Sequence, residues 1–336
     1  MKRLTIKDVA TLAGVSPRTV SRVINDSINV NEATREKVQK IINDTGYEVN
    51  ILAKGLKQQK TNAIIVFIDE HQGGYWSIWH NEIVNKIIFE AKKKNYRTII
   101  SASTARESVY TAIDGFSLLK NGFADGAILF DSVENDYRIK YLREREIPFV
   151  IIGKDIENRD TSFVDCDNYK VGYIGAEFIM NKGYKNAHFL LGEIDFLVNK
   201  TRAEGFKDAY KEHLDSRIDQ NIHYGISDFR DCYNSTKKIL ESNKVDALFI
   251  SGDERVLGAY RAIEELGLKI GRDIAVLGID NIQMSEYFSP PLTTIDQPKE
   301  KFAKYSVSIL CEMMNSDIGI TKRILLKPKV IERKSM

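Results

Sequence analysis

Residues 5–25 read TIKDVATLAGVSPRTVSRVIN, a stretch that predicts two short helices joined by a tight turn. Its apolar residues repeat at helical spacing until Gly14, and glycine accepts the left-handed conformation that ends a helix. A second helix is expected to begin at once. Ser16 is a good N-cap, and Pro17 suits the first helical position because an N–H there has no helical partner.

The second helix is amphipathic, and its two faces suit different tasks. The residues expected to face inward are Val20, Val23 and Ile24. The residues expected to face outward are Arg18, Thr19, Ser21 and Arg22. In a helix-turn-helix the apolar face fixes the crossing angle, and the outward face enters the major groove of DNA. We therefore predict a DNA-binding head; the alternative is a helical hairpin that only packs.

A third helix over residues 32–45 would complete this head. Asn31 suits its N-cap, and Gly46 suits its end. Three helices can close a small core, for which the sequence offers Leu12, Val20, Val23, Val38 and Ile41. Such a core is marginal, so docking on DNA would help to hold it.

Charge is distributed unevenly along the 336 residues, although the formal net charge is only +2. Residues 1–60 carry 11 lysines and arginines against 6 aspartates and glutamates, a net charge of +5. The remaining 276 residues carry 38 against 41, a net charge of −3. A basic head on a near-neutral body indicates that only the head meets a polyanion.

The length of the chain predicts two or three domains.

The segment after the head, NILAKGLKQQKT at residues 50–61, has two interpretations. It can form one or two helical turns, but Gly55 opposes this by roughly 1 kcal/mol, and so short a helix is marginal alone. A segment balanced between coil and helix suits a hinge that folds only when something packs on it, with Lys54, Lys57 and Lys60 near a phosphate backbone. The other interpretation is a solvated linker.

The head resembles that of the LacI/GalR family of bacterial transcription regulators. The matching motifs are T-I-K-D-V-A, A-G-V-S, T-V-S-R-V-I-N, T-R-E-K-V and the hinge pattern N-x-x-A-K-G-L. The resemblance implies a homodimer whose second helices read the half-sites of a near-palindromic double-stranded operator. It also implies that the hinge becomes helical on DNA, with Leu56 wedged into the central minor groove beside Ala53. Lys54 stands where many relatives carry arginine, which would weaken minor-groove contacts.

The same resemblance assigns contacts within the head by position. Arg18 and Arg22 would read base edges, because arginine can grip guanine O6 and N7 together. Residues placed near phosphates would fix register without specifying sequence: Thr5, Ser16, Ser21, Asn25 and Asn50. Pro17 departs from relatives that place a hydrogen-bonding side chain there, so more of the reading falls on Arg18 and its neighbour Thr19.

From residue 62 onward, short apolar runs alternate with helical patterns. The runs are residues 63–68, 97–101, 126–130, 148–152, 186–192, 247–251 and 274–278; the helices are near 79–94, 106–121, 167–182, 200–213, 230–242, 254–266 and 299–315. Strands this apolar, each followed by a helix, indicate parallel sheets covered on both faces. Seven such units favour two doubly wound lobes, the plan of periplasmic binding proteins, over the competing eight-unit barrel.

These patterns give a predicted domain organisation. The helix-turn-helix head covers residues 1–49, the hinge 50–61, and the two-lobed effector-binding and dimerisation domain 62–336. Lobe one is expected over about 62–164 with part of 296–325, and lobe two over about 165–295 with the C-terminal strand. Residues 164–168, VDCDN, are interpreted as a crossover between the lobes, and the resemblance places the return crossover at residues 289–298.

Ligands of open α/β sheets bind beyond the carboxyl ends of the strands, which predicts a cleft between the lobes. Tyr75, Trp76 and Trp79 offer flat faces to a sugar ring, and Arg202 and Asp280 offer charge-assisted hydrogen bonds to hydroxyl groups. Taken singly, Trp79 equally suits the core, and Asp280 equally suits a turn cap.

The family resemblance adds weight to two of these cleft residues and suggests two more. R-A-E-G-F and G-I-D-N-I match places where relatives carry an effector-binding arginine and aspartate, here Arg202 and Asp280. The resemblance also suggests Asp253 by position. Phe229 could cover the ligand, although it is displaced by two positions from the G-D-F or G-D-W of relatives.

An enzyme is not expected. Five histidines form no metal pattern, no nucleophile elbow or Walker loop occurs, and the glycines of VGYIG (171–175) fall inside a helical pattern. His71 and His80 near the cleft are the residues that invite an acid–base interpretation, but neither has a carboxylate at fixed spacing. We expect no cofactor and no metal ion.

Localisation and alternatives follow from the same features. Three scattered cysteines fit a reducing cytoplasm, and neither a secretory signal nor an apolar run near about 20 residues appears, so a cytoplasmic protein without membrane association is expected. The predicted function is a DNA-binding repressor controlled by a small molecule, a sugar or sugar derivative. The alternatives are a regulator controlled by a protein partner and a transport-type solute-binding protein. The absence of a leucine-heptad tail favours a dimer over a tetramer.

Overall fold

The computed structural model of the chain separates into two units, residues 1–61 and 62–336. The structure describes residues 4–47, 60–69, 76–105, 115–155, 160–214, 218–242, 244–316 and 319–336. Several predicted positions therefore lie outside the described residues: Asn50, Ala53, Lys54 and Leu56 of the hinge, Tyr75 and His71 near the cleft, and 106–114 of a predicted helix.

The head consists of three helices, as predicted. They are α1 (Ile6–Ala13), α2 (Pro17–Ile24) and α3 (Glu32–Thr45). Each begins at a side-chain cap: Thr5 forms a capping box with Asp8, Ser16 accepts from the Thr19 N–H, and Asn31 accepts from the Thr34 N–H. α1 and α3 end at Gly14 and Gly46, both with φ of 62°. Local chemistry alone thus sets these boundaries.

The core of the head differs from the prediction at one position. Its buried residues are Val9, Ala10, Ala13, Val20, Val23 and Val38, with Ile41 partly buried against them. Leu12, predicted to be core, is 57% exposed. The inward stripe of α1 is defined by the i, i+4 pair Val9 and Ala13, and Leu12, one residue before Ala13, is turned about 100° away from it.

Lobe one of the second unit is a six-stranded parallel sheet in the order β11-β5-β4-β3-β1-β2. Its strands are β1 (Ala63–Asp69), β2 (Arg97–Ser103), β3 (Gly126–Leu129), β4 (Phe149–Ile152), β5 (Phe163–Cys166) and β11 (Arg323–Leu326). Its helices are α4 (Ile78–Lys93), α5 (Gly115–Lys120), α6 (Tyr137–Glu144) and α11 (Lys299–Met314). The first four strands follow predicted apolar runs.

Lobe two is a second six-stranded sheet in the order β12-β10-β9-β8-β6-β7, parallel except for β12. Its strands are β6 (Ala187–Leu190), β7 (Ile222–His223), β8 (Ala247–Ile250), β9 (Ala275–Asp280), β10 (Thr293–Asp296) and β12 (Lys329–Ile331). Its helices are α7 (Asn168–Asn181), α8 (Leu197–Leu214), α9 (Phe229–Ser242) and α10 (Val256–Glu265), with short 3₁₀ turns at Asp219–Asn221, Asp253–Arg255 and Gln283–Tyr287. Two open sheets exclude the eight-unit barrel.

Two segments interpreted as crossovers contain strands. Residues 164–168 were expected to leave lobe one, but β5 is a fully buried strand that pairs with β4 and β11, and the chain leaves lobe one only after Cys166. Likewise β10 lies within 289–298 and pairs with β9 and β12 before the chain returns to lobe one at α11. Both strands have four residues and carry polar side chains, so neither shows an apolar run.

Close packing of α7 on α8 explains the glycines of VGYIG. A Cβ at Gly172 would overlap the carbonyl oxygen of Arg202, and a Cβ at Gly205 would overlap that of Tyr169. The two backbones therefore meet at glycines, and this contact fixes the position of Arg202.

Within the described part of the chain, no helix has the length and apolar character needed to cross a bilayer.

Candidate nucleic-acid interface and ligand cleft

The outward face of α2 is arranged as predicted. Val20 and Val23 are buried, whereas Arg18 and Arg22 are exposed and Thr19 and Ser21 are half-buried. Among the described residues, neither guanidinium group has a hydrogen-bond or ion-pair partner within the chain. Both arginines are therefore available to an external acceptor.

The smaller polar residues of this surface hold the ends of the helices. The Ser16 Oγ lies 3.1 Å from the Thr19 backbone N and 2.9 Å from the Thr19 Oγ1. The Asn25 amide donates to the Ser21 carbonyl over 2.7 Å. Pro17 is exposed at the first helical position and offers no donor. These contacts fix α2 in place, while contact of these residues with phosphates stays a prediction.

Arg35 has a structural role that sequence reasoning missed. Its Nη2 donates to the Ser27 carbonyl over 2.6 Å, and its Nη1 lies 3.2 Å from the Asp26 carboxylate. It therefore ties α3 to the loop that follows α2. Its position nine residues after Asp26 gives no local sequence signal of this contact.

A cavity of about 760 Å³ lies between the two lobes of the second unit. Lobe one contributes the start of α4 and the carboxyl ends of β3 and β4, and lobe two contributes the loops after β6, β7, β8 and β9. This is the position predicted for open α/β sheets. Predicted residues that line it are Trp79, Arg202, Phe229 and Asp280.

Arg202 and Asp280 form the charged floor of the cleft, with 7% and 8% of their surfaces exposed. The Arg202 Nε donates to the Asn168 Oδ1 over 2.9 Å, and its Nη1 donates to the Ser251 Oγ over 2.8 Å. Burial lowers the pKa of Arg202, and the nearby Asp280 carboxylate opposes this. Burial likewise raises the pKa of Asp280, against the attraction of Arg202. Two opposite charges thus share a largely dry site.

The backbone at Asp280 is held in an uncommon conformation. Its φ is 118°, and that of Asn281 is 48°. The Lys299 ammonium donates to the carbonyls of Asp280 and Asn281 over 2.5 and 2.8 Å, and the Gln297 amide donates to the Asp280 Oδ1 over 2.6 Å. These bonds compensate for the strain and orient the carboxylate. The sequence predicted Asp280 as a cleft residue but not its hydrogen bonds with Lys299 and Gln297.

The lobe-one wall combines an aromatic face with a polar pair. The Trp79 ring meets Phe130 and Phe302 edge-on at 6.0 and 5.7 Å between centroids, so Trp79 belongs both to the core and to the cleft. Its Nε1 is buried and has no partner among the described residues. His80 lies between the Ser77 hydroxyl, 2.7 Å from Nδ1, and the Asp131 carboxylate, 3.1 Å from Nε2.

Two predicted effector residues do not line the cleft. Trp76 is half-buried against the core, outside the lining formed by the described residues. Asp253 is fully buried: its Oδ2 accepts from the Ile282 N–H at 3.1 Å, and its Oδ1 accepts from the Thr294 hydroxyl at 2.6 Å. Burial raises the pKa of Asp253 to about 8. Asp253 points back into lobe two and secures the β9–β10 connection, so its assignment as an effector contact is wrong.

Carboxylates outnumber cations in the cleft. Within the described part of the chain the lining has seven carboxylates: Asp131, Asp165, Glu193, Asp195, Asp228, Glu254 and Asp280. Its lysines and arginines are Lys154, Arg202 and Arg255. We call the seven carboxylates the acidic lining. The described residues contain no group of three or more His, Cys, Asp or Glu side chains placed to hold a metal ion.

Asn168, Ser251 and Asp165 are cleft residues that the sequence did not reveal. Asn168 bridges the Arg202 Nε and the Asp165 Oδ1, which lie 2.9 and 3.0 Å from its amide atoms. Burial raises the pKa of Asp165 to about 6, although Lys154 opposes the shift. Each residue lies at or just beyond the carboxyl end of a strand, which is the signal that could have identified it.

A helix-turn-helix head with free arginines on a two-lobed, cleft-bearing body defines a DNA-binding regulator. Comparison with known proteins agrees with this class. The family profile described as "Bacterial regulatory proteins, lacI family" matches residues 5–50, and that of the "Periplasmic binding protein-like domain" matches residues 176–336.

Similar proteins extend over the full length of the chain. The HTH-type transcriptional regulator MalR of Clostridium butyricum is 32% identical and covers 99% of both chains. The HTH-type transcriptional repressor PurR of Vibrio atlanticus is 30% identical, over 99% of this chain and 98% of its own. The chain belongs to the lacI family of bacterial regulatory proteins and is a transcriptional regulator.

Solved structures show the same architecture. The Lac repressor dimer bound to operator and the anti-inducer ONPF superposes with a TM-score of 0.86, 25% identity and 99% coverage of each chain. The complex of the transcriptional regulator CelR with cellobiose has a TM-score of 0.74 and 25% identity, over 99% of this chain and 100% of its own. These comparisons confirm the predicted fold class.

Proposed function

We propose that the chain forms a homodimeric repressor that binds a near-palindromic operator and responds to a carbohydrate in the cleft. The observation that carries the proposal is the pairing of two surfaces. One is the face of α2 with its unpaired Arg18 and Arg22, and the other is a cavity of about 760 Å³ with buried Arg202 and Asp280 on its floor.

The DNA part of the proposal rests on the chemistry of α2. Arg18 and Arg22 are four residues apart and therefore lie on one face of the helix, where two guanidinium groups can each grip a guanine. Neither group has a partner within the described chain, so no internal bond has to break on binding. Operator contacts of Thr5, Ser16, Thr19, Ser21 and Asn25 complete the proposed surface.

The ligand part rests on the polarity of the cleft. Arg202 donors and the Asp280 carboxylate suit the hydroxyl groups of a sugar, since charge-assisted hydrogen bonds are the strong ones. Trp79 supplies an apolar face and an unpaired buried N–H, and Phe229, 62% exposed, stands at the mouth of the cleft. CelR, which is similar in structure to this chain, was solved as a complex with the carbohydrate cellobiose.

Control would follow from two settings of the lobes. A ligand shifts the balance between two conformations only by its differential affinity for them, and couplings of about 1–3 kcal/mol are typical. The cleft takes its walls from both lobes, so occupancy favours one setting. The hinge of each subunit would pass this preference to the heads.

Selection of bound fragments from genomic DNA, with and without a panel of sugars and purine bases, tests the proposal. We expect a near-palindromic consensus whose recovery changes with a sugar. In parallel, tryptophan fluorescence reports binding, because the chain has two tryptophans and Trp79 lines the cleft. A consensus unaffected by every small molecule, but altered by a protein from cell extract, would refute small-molecule control and favour the protein-partner alternative.

A further inference from the structure

Several helices begin at the cleft, and at two of them a carboxylate accepts from N–H groups at the helix start. A helix N-terminus carries a partial positive charge and free N–H groups, which makes it a ready binding site for phosphate. These two helices are α4 in lobe one, which starts at Ile78, and α9 in lobe two, which starts at Phe229. Residues at both starts line the cleft.

At α4 the carboxylate comes from the opposite lobe. The Glu254 Oε2 accepts from the Ile78 N–H over 2.8 Å, so a lobe-two side chain fills the place that a phosphate oxygen would take. The cap residue Ser77 accepts from the His80 N–H over 3.2 Å and satisfies a second donor of the same turn.

At α9 the carboxylate is local. The Asp228 Oδ1 accepts from the N–H groups of Arg230 and Asp231 over 2.7 and 2.8 Å. The Asp231 carboxylate accepts in turn from the Ser227 N–H over 3.1 Å. The positive end of this helix is therefore neutralised by the protein itself.

The cations of the cleft already have acceptors for some of their N–H groups, although the buried Arg255 Nε has none among the described residues. Arg202 is bonded to Asn168 and Ser251, the Arg255 Nη1 donates to the Ser251 carbonyl over 2.8 Å, and the Lys154 ammonium lies 3.9 Å from the Asp165 carboxylate. A phosphate or carboxylate ligand would compete with these acceptors for the cations and would lie among the acidic lining. Like charges in a poorly hydrated site repel strongly.

We infer that the cleft selects against anions: its ligand is uncharged or amino-bearing, and Glu254 and Asp228 are the residues that exclude phosphate esters. This inference rests on the proposed function, because it assumes that a small molecule binds there. It narrows the carbohydrate class to free sugars, glycosides or amino sugars.

Matched ligands test the inference on the full chain. Glucose, glucosamine and glucose 6-phosphate, ribose and ribose 5-phosphate, and adenosine and AMP are titrated at constant ionic strength, with tryptophan fluorescence as readout. For every compound pair that binds, we expect the phosphate ester to bind at least tenfold more weakly than its uncharged parent. A phosphate ester that binds wild type as tightly as its parent, or more tightly, overturns the inference.

A double variant, Glu254→Gln with Asp228→Asn, tests the contribution of these two carboxylates apart from the rest of the acidic lining. Both replacements keep an acceptor for the helix N–H groups and remove the charge, and asparagine is as good an N-cap as aspartate. We expect the ratio of the affinity for the uncharged parent to the affinity for its phosphate ester to fall at least threefold in this variant. Glu241→Gln, an exposed acid on α9 outside the cleft lining, is the matched control and should leave it unchanged.

Failure of the proposed function would give a different result. If the protein binds its operator and no member of the panel alters either fluorescence or operator binding, small-molecule control is refuted, and the charge selectivity falls with it. If an uncharged sugar binds but the double variant discriminates as wild type does, the proposed function stands and the role of Glu254 and Asp228 is refuted.

Discussion

The histidine pair on β6 and β7 makes folding sensitive to acid in a predictable direction. The His188 Nδ1 lies 2.9 Å from the His223 Nε2, and the two rings stack at 5.2 Å between centroids. His188 is 3% exposed, and burial together with the neighbouring His223 lowers its pKa from the ordinary value of 6.5 to about 4. Asp246 opposes this shift, and burial together with Lys238 lowers the pKa of His223.

The sign follows from proton linkage. Below the unfolded pKa of 6.5 the unfolded chain takes up a proton that folded His188 refuses until pH falls to about 4. The unfolded state therefore gains free energy as pH falls through this window, and the native state is destabilised. A pKa difference of this size corresponds to about 3 kcal/mol, which we reduce to about 2 kcal/mol because the neighbouring His223 is half-buried and solvent screens the pair.

The assay must separate His188 from other groups. Asp165, with its pKa raised to about 6, acts in the opposite direction, because the folded state retains its proton after the unfolded state has lost it. Urea unfolding of wild type and His188→Gln, followed by fluorescence between pH 7 and pH 4.5, isolates the difference. We expect His188→Gln to have a lower free energy of unfolding than wild type at pH 7, and this difference should shrink by about 2 kcal/mol at pH 4.5.

A matched control lies on an exposed surface of the same lobe. His213 is exposed on α8, so His213→Gln controls for the loss of a histidine outside the buried pair. If His188→Gln and wild type keep a constant stability difference from pH 7 to pH 4.5, His188 titrates alike in the folded and unfolded states and does not cause the acid sensitivity.

Three further substitutions test packing. Arg138→Met should destabilise the native state by about 3–5 kcal/mol in urea unfolding, because it leaves the buried Asp136 carboxylate, 2.8 Å from the Arg138 Nη2, without its ion pair; a loss below 1 kcal/mol would contradict this. Gly205→Ala should lower the melting temperature by several degrees, because the added Cβ pushes α8 away from α7. The same shift displaces Arg202 and should weaken ligand binding. Unchanged ligand affinity would show that the packing of these helices does not position Arg202. Leu12→Ala should change stability by less than about 0.5 kcal/mol, because Leu12 lies outside the head core; a loss near 2 kcal/mol would place it back inside.

Local chemistry made the head and most strands predictable. The caps Thr5, Ser16 and Asn31 and the glycines at 14 and 46 act within a few residues, so the sequence reveals the ends of α1 and α3 and the start of α2. Long apolar runs likewise revealed β1, β3 and β8, which are buried on both faces. β5 and β10 stayed hidden because each has only four residues and carries polar side chains, so neither shows an apolar run.

The cleft was predictable only in part, for a related reason. Asp253 and Asp280 both follow apolar strands, yet Asp253 turns inward to Ser285 and Thr294, whereas Asp280 turns to Gln297 and the cleft. Neighbours many residues away decide between these orientations. The contacts of Glu254 with the Ile78 N–H, and of Glu82 with the Gln283 N–H at 3.0 Å, join the two lobes and have no local sequence signal either.

We propose that α2 reads DNA while occupancy of the cleft governs how firmly the protein binds. Both parts are tested by measuring operator binding of wild type, Arg22→Ala and Asp280→Asn, each with and without the sugar found in the panel. We predict that Arg22→Ala loses about 1–3 kcal/mol of operator discrimination per half-site and still binds the sugar. Asp280→Asn should bind the operator normally but lose the response to the sugar. Full operator selectivity in Arg22→Ala would show that α2 does not read the operator through Arg22, and a wild-type response of Asp280→Asn to the sugar would show that the cleft does not control binding through Asp280.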